Sequence, residues 1–259
     1  METFENTLDR QRFESTNALW NSLCLNDPWS VGYVSRLVES KIFHQKEDWE
    51  NFYYASGAER KNLLTNLPAE IVALLNDFEL KRTNPGTIPS LRQEWKILNY
   101  NYGRTPGDLQ QKAMVLYRAA NSNAIDITEN ECVESVRFRT ICQTWNGVIV
   151  REKKAADFLR KLFPGCDFIK TEGAFDYHYA VDFQVFIKGK MIAGLQIKPI
   201  SYLKSKAPYV QTARAANLRK HQEFSARFDA PVFELVFENG TIQNPAQFAE
   251  LKALIFKMS

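Results

Sequence analysis

The chain has 259 residues, of which 45% are hydrophobic and 24% are charged, a balance typical of a folded globular protein. No stretch approaches the roughly twenty apolar residues of a membrane span, and the polar, mixed-charge N-terminus argues against a secretory signal peptide. The four cysteines and three histidines are scattered and form no CxxC pair, which disfavours a zinc ribbon or an extracellular disulfide framework. We therefore expect a reduced, cytoplasmic protein. Its formal net charge is +3.

Residues 1–130 are predicted to form a mostly helical region packed on or beside a core. Apolar side chains recur at helical spacing from Ala58 to Asn76, which predicts one helix there. Helices are expected to resume near Pro106, and Thr128 and Glu131 have the spacing of a capping box that starts another one. This region carries 14 basic and 17 acidic side chains.

Residues 131–259 are predicted to form that core, with elements in the order α-β-β-β-α-β. The predicted elements are an amphipathic helix Glu152–Phe163, strands Asp167–Lys170, Tyr179–Ile187 and Met191–Lys198, a helix Pro208–Phe228, a strand Pro231–Glu238 and a terminal helix Ala246–Phe256. Lys188-Gly189-Lys190 predicts a compact hairpin between the second and third strands. Since helices can then cover both faces of a small mixed sheet, the fold class is α/β (α+β).

Three polar residues interrupt the apolar pattern of two neighbouring predicted strands. Asp182 lies in the middle of an otherwise apolar strand, where an unpaired carboxylate would be costly. On the next strand Gln196 and Lys198 alternate with apolar residues within MIAGLQIKPI. Such departures from patterning are where function is expected, and we predict that these three side chains converge on one site.

Metal-assisted phosphodiester hydrolysis is the chemistry that suits this set. Asp182 and the backbone carbonyl of Ile197 would bind Mg²⁺ through oxygen, and Lys198 would orient the attacking water and offset developing charge. Glu152 begins the core-facing stripe of its helix and is a further candidate ligand, although a helix dipole also favours a Glu at that place. A buried ion pair between Asp182 and Lys198 is the structural alternative.

The segment that runs from the hairpin before this strand to the following helix is strongly basic. From Lys188 to Gln222 there are eight Lys or Arg residues and no Asp or Glu. A solvated basic surface would explain the charge run alone, but beside a candidate nuclease site a DNA backbone is the partner it favours. The predicted DNA-binding residues are Lys204, Lys206, Arg214, Asn217, Arg219 and Lys220. His178 is expected to be a polar residue at the end of the strand, on the same face as Asp182.

The spacing from Asp182 to Gln196-Ile197-Lys198, in this order of elements, resembles the PD-(D/E)XK nucleases. The family's Asp corresponds to Asp182 and its Lys to Lys198, whereas Gln196 stands where an acid is usual. Another carboxylate should then compensate, and the candidates are Glu152, Glu172 and Asp176.

Further stretches resemble MjaI-type restriction endonucleases. They are Tyr102-Gly103-Arg104-Thr105, Thr144-Trp145-Asn146-Gly147, Gly173-Ala174-Phe175-Asp176-Tyr177, Gln196 to Tyr202, and Ala213 to His221. The resemblance implies a Mg²⁺-dependent cytoplasmic enzyme that cuts a short site in double-stranded DNA, leaves 5′-phosphates and acts as a homodimer. Two alternatives stay open: a structure-selective repair or recombination nuclease, and a non-catalytic DNA-binding protein on a degenerate nuclease fold.

Overall fold

The structure, a computed structural model, describes residues 2–25, 37–38, 40–76, 98–99, 101–171, 173–206 and 208–258. The chain divides into two compact units, one made of Met1–Val38 and Phe43–Asn146 and the other of Glu39–Ile42 and Gly147–Ser259. Within the described ranges, none of the helices has the length and apolar character needed to cross a membrane.

The described part of the first unit is helical, as predicted. Its elements are α1 (Arg10–Ser15), α2 (Asn17–Ser22), α3 (Lys46–Thr65), α4 (Ala69–Asn76), α5 (Pro106–Ser122), α6 (Glu129–Arg137) and α7 (Gln143–Trp145), with a π-helical segment at Phe138–Cys142. The capping box at Thr128 and Glu131 is confirmed. The single helix predicted from Ala58 to Asn76 is wrong, because Pro68 lies between α3 and α4 and cannot donate the hydrogen bond that would continue a helix.

Backbone segments approach each other closely where α3 meets the residues before α5. Gly57 lies against the backbone of Arg104, and Gly103 lies against Tyr53. The buried Arg104 guanidinium donates to the carbonyls of Tyr102 and Gly103 at 3.0 and 2.9 Å. The segment Tyr102-Gly103-Arg104-Thr105 therefore has a packing role in this unit.

We predict that Gly57→Ala lowers the free energy of unfolding by about 1–3 kcal/mol, as overpacked sites do. A Cβ at this position would lie 2.3 Å from the carbonyl carbon of Arg104, and both groups belong to backbone that has little room to shift. Urea denaturation measures the effect. Gly165→Ala is the matched control, since a Cβ there meets nothing within 4 Å, and equal stability of the two variants would contradict the prediction.

The second unit contains a mixed sheet flanked by helices. A π-helical segment at Asn146–Val150 precedes α8 (Arg151–Leu162), and the elements that follow are β1 (Cys166–Lys170), α9 (Gly173–Tyr179), β2 (Phe183–Ile187), β3 (Lys190–Lys198), α10 (Ile200–Lys204), α11 (Pro208–Phe228), β4 (Val232–Glu238), β5 (Thr241–Ile242) and α12 (Pro245–Met258). The mixed α/β class and the predicted order of the main elements are confirmed. The helices α9 and α10 and the strand β5 were not predicted.

The five strands are arranged in chain order, with β3 and β4 as the parallel pair and the other neighbours antiparallel. The parallel pair follows from the long crossover through α11. The hairpin between β2 and β3 turns at Lys188 and Gly189, whose φ angles of 50° and 77° suit a two-residue turn. This confirms the predicted hairpin.

The strand predicted from Tyr179 is wrong over its first residues. Gly173–Tyr179 is the helix α9, and the strand begins only at Phe183. Phe175 and Tyr179, one helical turn apart, pack against Phe224 and Phe228 of α11 with ring centroids 5.4–6.2 Å apart. This aromatic packing stabilises the helix over the extended alternative.

Each face of the sheet is covered by different helices. On one face Leu195 and Ile197 of β3 belong to the core cluster that includes Ala155 and Leu159 of α8 and Leu251 of α12. The opposite face packs against α9 and α11 through a second cluster, which consists of Tyr179, Val181, Phe224 and Ala230. The alternate, polar residues of β3 consequently lie on the side of α11.

Candidate active site

The Asp182 carboxylate is tied to strand β3. Asp182 lies in a bend just before β2, not inside the strand as predicted. Its N–H donates to the Leu195 carbonyl at 2.7 Å, and the Ile197 N–H donates to Asp182 Oδ2 at 2.5 Å. The carboxylate, which is almost fully buried, is therefore held beside the backbone of the Gln196-Ile197-Lys198 segment.

Gln196 and Lys198 lie on the opposite face of β3 from Leu195 and Ile197, as the alternation predicts. The buried Gln196 accepts a hydrogen bond from Asn217 Nδ2 of α11 at 3.3 Å. Asn217, predicted to contact DNA, thus contacts the strand. Lys198 Nζ lies 5.2 Å from the ring centroid of Tyr202, close enough for a cation–π contact.

Tyr202 of α10 forms a second contact with a cation. The Arg214 guanidinium lies 4.9 Å from the Tyr202 ring centroid and also donates to the Tyr202 carbonyl. The Tyr202 hydroxyl is buried, and burial raises the pKa of Tyr202 to about 12, with Glu234 of β4 adding to the rise and Asn217 acting against it. The ring thus connects Arg214 of α11 with Lys198 at the end of β3.

A second group of buried charges adjoins Asp182. Lys170 Nζ lies 3.0 Å from Glu152 Oε2 and 3.8 Å from Asp176 Oδ2. Both contacts are ion pairs, and all three atoms are buried. Glu152 comes from the first turn of α8, Lys170 from the end of β1 and Asp176 from α9.

These charges influence one another strongly. Burial raises the pKa of Glu152 to about 7, with Lys170 acting in the opposite direction and Asp182 adding to the rise. Burial and then the Asp182 carboxylate raise the pKa of Asp176 to about 8. Burial alone would lower the pKa of Lys170, but Glu152, Asp182 and Asp176 outweigh it and the pKa is raised. Three carboxyl groups and two ammonium groups, those of Lys170 and Lys198, thus act on one another electrostatically.

Two expectations about single residues change. The described residues contain no ion pair between Asp182 and Lys198, so the structural alternative for that pair finds no support. His178 was expected on the same strand face as Asp182, but it lies on the helix α9. Its exposed ring is 3.8 Å from Glu223 Oε2. Of the three candidate compensating carboxylates, Glu152 and Asp176 adjoin the site, and Glu172 lies outside the described residues.

The predicted DNA-binding residues divide into two groups. Lys204, Lys206 and Arg219 are exposed. Arg214 and Lys220 are partly buried: Arg214 stacks on Tyr202, and the Lys220 ammonium donates to the Tyr177 carbonyl and lies 4.5 Å from the Tyr177 ring centroid. The first group is therefore the more accessible to solvent.

The donor set has the chemistry that a hard divalent cation needs. Glu152 Oε2 and Asp176 Oδ2 are buried carboxylate oxygens that face the Lys170 ammonium, and carboxylate, amide and carbonyl oxygens are the ligands that Mg²⁺ prefers. In the described part of the chain, however, no three His, Cys, Asp or Glu side chains are gathered as a ready set of ligands. A bound cation would need further oxygens from Gln196, the Ile197 carbonyl, water or a substrate phosphate.

Sequence reasoning missed Lys170. Its pattern did carry a signal, because Cys166 and Phe168 point to the core from β1 and Lys170 is the next residue on that face. A lysine at the end of a buried stripe needs a buried anion, and Glu152 provides it.

Comparison with known proteins matches the chain to one family. A family model described as the MjaI restriction endonuclease matches residues 16–228. This range includes every residue of the candidate site, from Glu152 to Lys220. No match was found among curated proteins or among solved structures.

Proposed function

The chain belongs to the MjaI restriction endonuclease family, and from this premise we propose that it is a type II enzyme of the PD-(D/E)XK kind. In this proposal it hydrolyses both strands of double-stranded DNA at a short specific site, depends on Mg²⁺ and leaves 5′-phosphates. The observation that supports it most is the tether between Asp182 Oδ2 and the Ile197 N–H, which keeps a buried carboxylate beside Gln196 and Lys198.

Asp182 would hold the cation together with Glu152 and the Ile197 carbonyl, and Gln196 would add a neutral oxygen. When bound, the cation would polarise a phosphoryl oxygen and lower the pKa of a water ligand. Lys198 would orient the attacking water and stabilise the negative charge that develops on the phosphate. The Tyr202 ring would limit the positions of the Lys198 ammonium, and Asn217 would fix the Gln196 amide.

The proposed partner is a duplex, and the proposed assembly is a homodimer in the cytoplasm. Two copies related by a twofold axis can place one site on each strand of a palindromic sequence. The exposed Lys204, Lys206 and Arg219 would meet phosphates, which position the enzyme without reading the sequence.

A cleavage assay tests the function. Purified full-length protein is incubated with plasmid and phage DNA in Mg²⁺, in Mn²⁺ and in EDTA, and the ends of the products are mapped. Discrete fragments with 5′-phosphates, formed only with a metal, are expected. A smear would argue against a specific site, and cleavage that persists in EDTA would contradict metal dependence.

Other results of the same assay select the alternatives. Digestion of branched or nicked DNA with intact plasmid spared would indicate a structure-selective nuclease. Salt-sensitive binding without cleavage in either metal would indicate a DNA-binding protein on a degenerate fold, for which the neutral Gln196 would be the reason.

We predict that replacing Lys204, Lys206 and Arg219 together by Ala weakens binding to all duplexes alike. Each lost phosphate contact should reduce the slope of log K against log salt by about 0.9. Fluorescence anisotropy at several salt concentrations measures this slope. The matched control replaces the exposed Lys154, Lys161 and Lys257, which removes the same charge outside the basic segment. Equal slopes for the two triple variants would contradict the prediction.

A further inference from the structure

Lys170 places a fixed positive charge among the carboxylates of the candidate site. Its ammonium lies within ion-pair distance of both Glu152 and Asp176. The side chains of these two acids are 7% exposed and that of Lys170 is 23% exposed, so water screens the contacts little.

The arrangement has an electrostatic reason. Three buried acids, Glu152, Asp176 and Asp182, repel one another. The Asp182 carboxylate raises the pKa of both Glu152 and Asp176, and all three acids raise the pKa of Lys170. An ammonium beside them offsets part of that repulsion. A divalent cation bound by the same oxygens would offset it in the same way.

We propose that Lys170 is a positioning residue that competes with the divalent cation for the Glu152 and Asp176 carboxylates. In the protein without DNA, the ammonium holds the two carboxylates and lowers the affinity for the cation. The negative charge of a DNA phosphate favours the cation, so that tight metal binding accompanies DNA binding. This inference rests on the proposed metal-dependent function for the identity of the cation.

The test measures binding of Mn²⁺ alone to the full chain, without DNA, by isothermal titration calorimetry and by electron paramagnetic resonance. Lys170→Met keeps the apolar stem and removes the charge, and we expect it to bind Mn²⁺ at least about tenfold more tightly than the natural protein. Lys170→Arg restores the charge and should return the affinity to the natural value. Lys161→Met, an exposed lysine on α8, is the control and should leave the affinity unchanged.

A second pair of variants covers the case in which Lys170→Met does not fold, since two buried acids would then lack their partner. Asp176→Asn is compared with the double variant Lys170→Met/Asp176→Asn, in which fewer buried charges are left uncompensated. The double variant should bind Mn²⁺ more tightly by about tenfold, because the remaining Glu152 is then free of its competitor.

The inference is overturned if loss of the Lys170 charge leaves Mn²⁺ affinity unchanged or weakens it in folded protein. Its outcome is separable from that of the proposed function. DNA cleavage with no gain in Mn²⁺ affinity would overturn this inference alone. A gain in Mn²⁺ affinity in a protein that never cleaves DNA would support the competition and count against the nuclease.

Discussion

Asp182→Asn is expected to abolish metal-dependent DNA cleavage, with a fall in kcat of about 10³-fold or more. A bound metal supplies several kcal/mol of transition-state stabilisation, and each 1.4 kcal/mol or so corresponds to a factor of ten. The substitution removes the charge that would hold the cation and keeps a side-chain oxygen that can accept from the Ile197 N–H. Steady-state cleavage of a labelled duplex measures kcat, and single-turnover cleavage shows that the loss lies in the chemical step.

The hydrogen bond from the Ile197 N–H to Asp182 also means that Asp182→Asn should change the metal site without unfolding the protein. Because the amide oxygen can replace Oδ2 at the Ile197 N–H, the fold should be retained, which circular dichroism and thermal unfolding check. Binding to DNA should be retained as well, since the residues proposed to contact phosphates, Lys204, Lys206 and Arg219, lie on other elements of the chain. A folded Asp182→Asn protein that cleaves at the natural rate would exclude Asp182 as a metal ligand.

Lys198→Met is expected to lower kcat by about 10²–10³-fold, the loss seen when a group that stabilises transition-state charge is removed. Methionine keeps most of the apolar stem that lies near Tyr202, so the packing at the end of β3 should change little. DNA affinity should change much less than kcat, because one ammonium contributes little to a multi-phosphate interface. The ratio of the two effects distinguishes a catalytic lysine from a DNA-anchoring one.

Lys190→Met is the matched control for this substitution. Lys190 begins the same strand, is exposed and lies in the hairpin at the other end of β3. It carries the same charge and should have no effect on kcat. Equal losses in the two variants, or a loss of DNA affinity as large as the loss of kcat at Lys198, would contradict the assignment.

Several features of the second unit were predictable from the sequence pattern alone. Gln196 and Lys198 were predicted to share a face because side chains alternate along any strand, and the strand was recognisable from its apolar neighbours. The β2–β3 hairpin was predictable for a similar reason, since Gly189 accepts the positive φ that a tight turn requires. The bounds of α11, Pro208–Phe228, were also predicted correctly.

The prediction was wrong where packing between distant segments outweighed the local pattern. Residues from Tyr179 onward alternate like a strand, yet Tyr179 is the last residue of the helix α9, which packs through its aromatic rings on Phe224 and Phe228. The same helix directs His178 outward to Glu223 and Asp176 inward to Lys170.

The sequence by itself determined the family, through motifs that can be read along the chain. It also determined the order of the main elements and placed Gln196 and Lys198 on the face of β3 opposite Leu195 and Ile197, because these depend on residue spacing of two to four positions. Only the tertiary structure decided which charges meet. Glu152, Lys170 and Asp176 come from a helix, a strand and another helix, and their contact depends on how these elements pack. Asn217 likewise faces Gln196 because α11 lies on that side of the sheet. Periodicity describes one element at a time, whereas a buried ion pair is a property of two or more elements packed together.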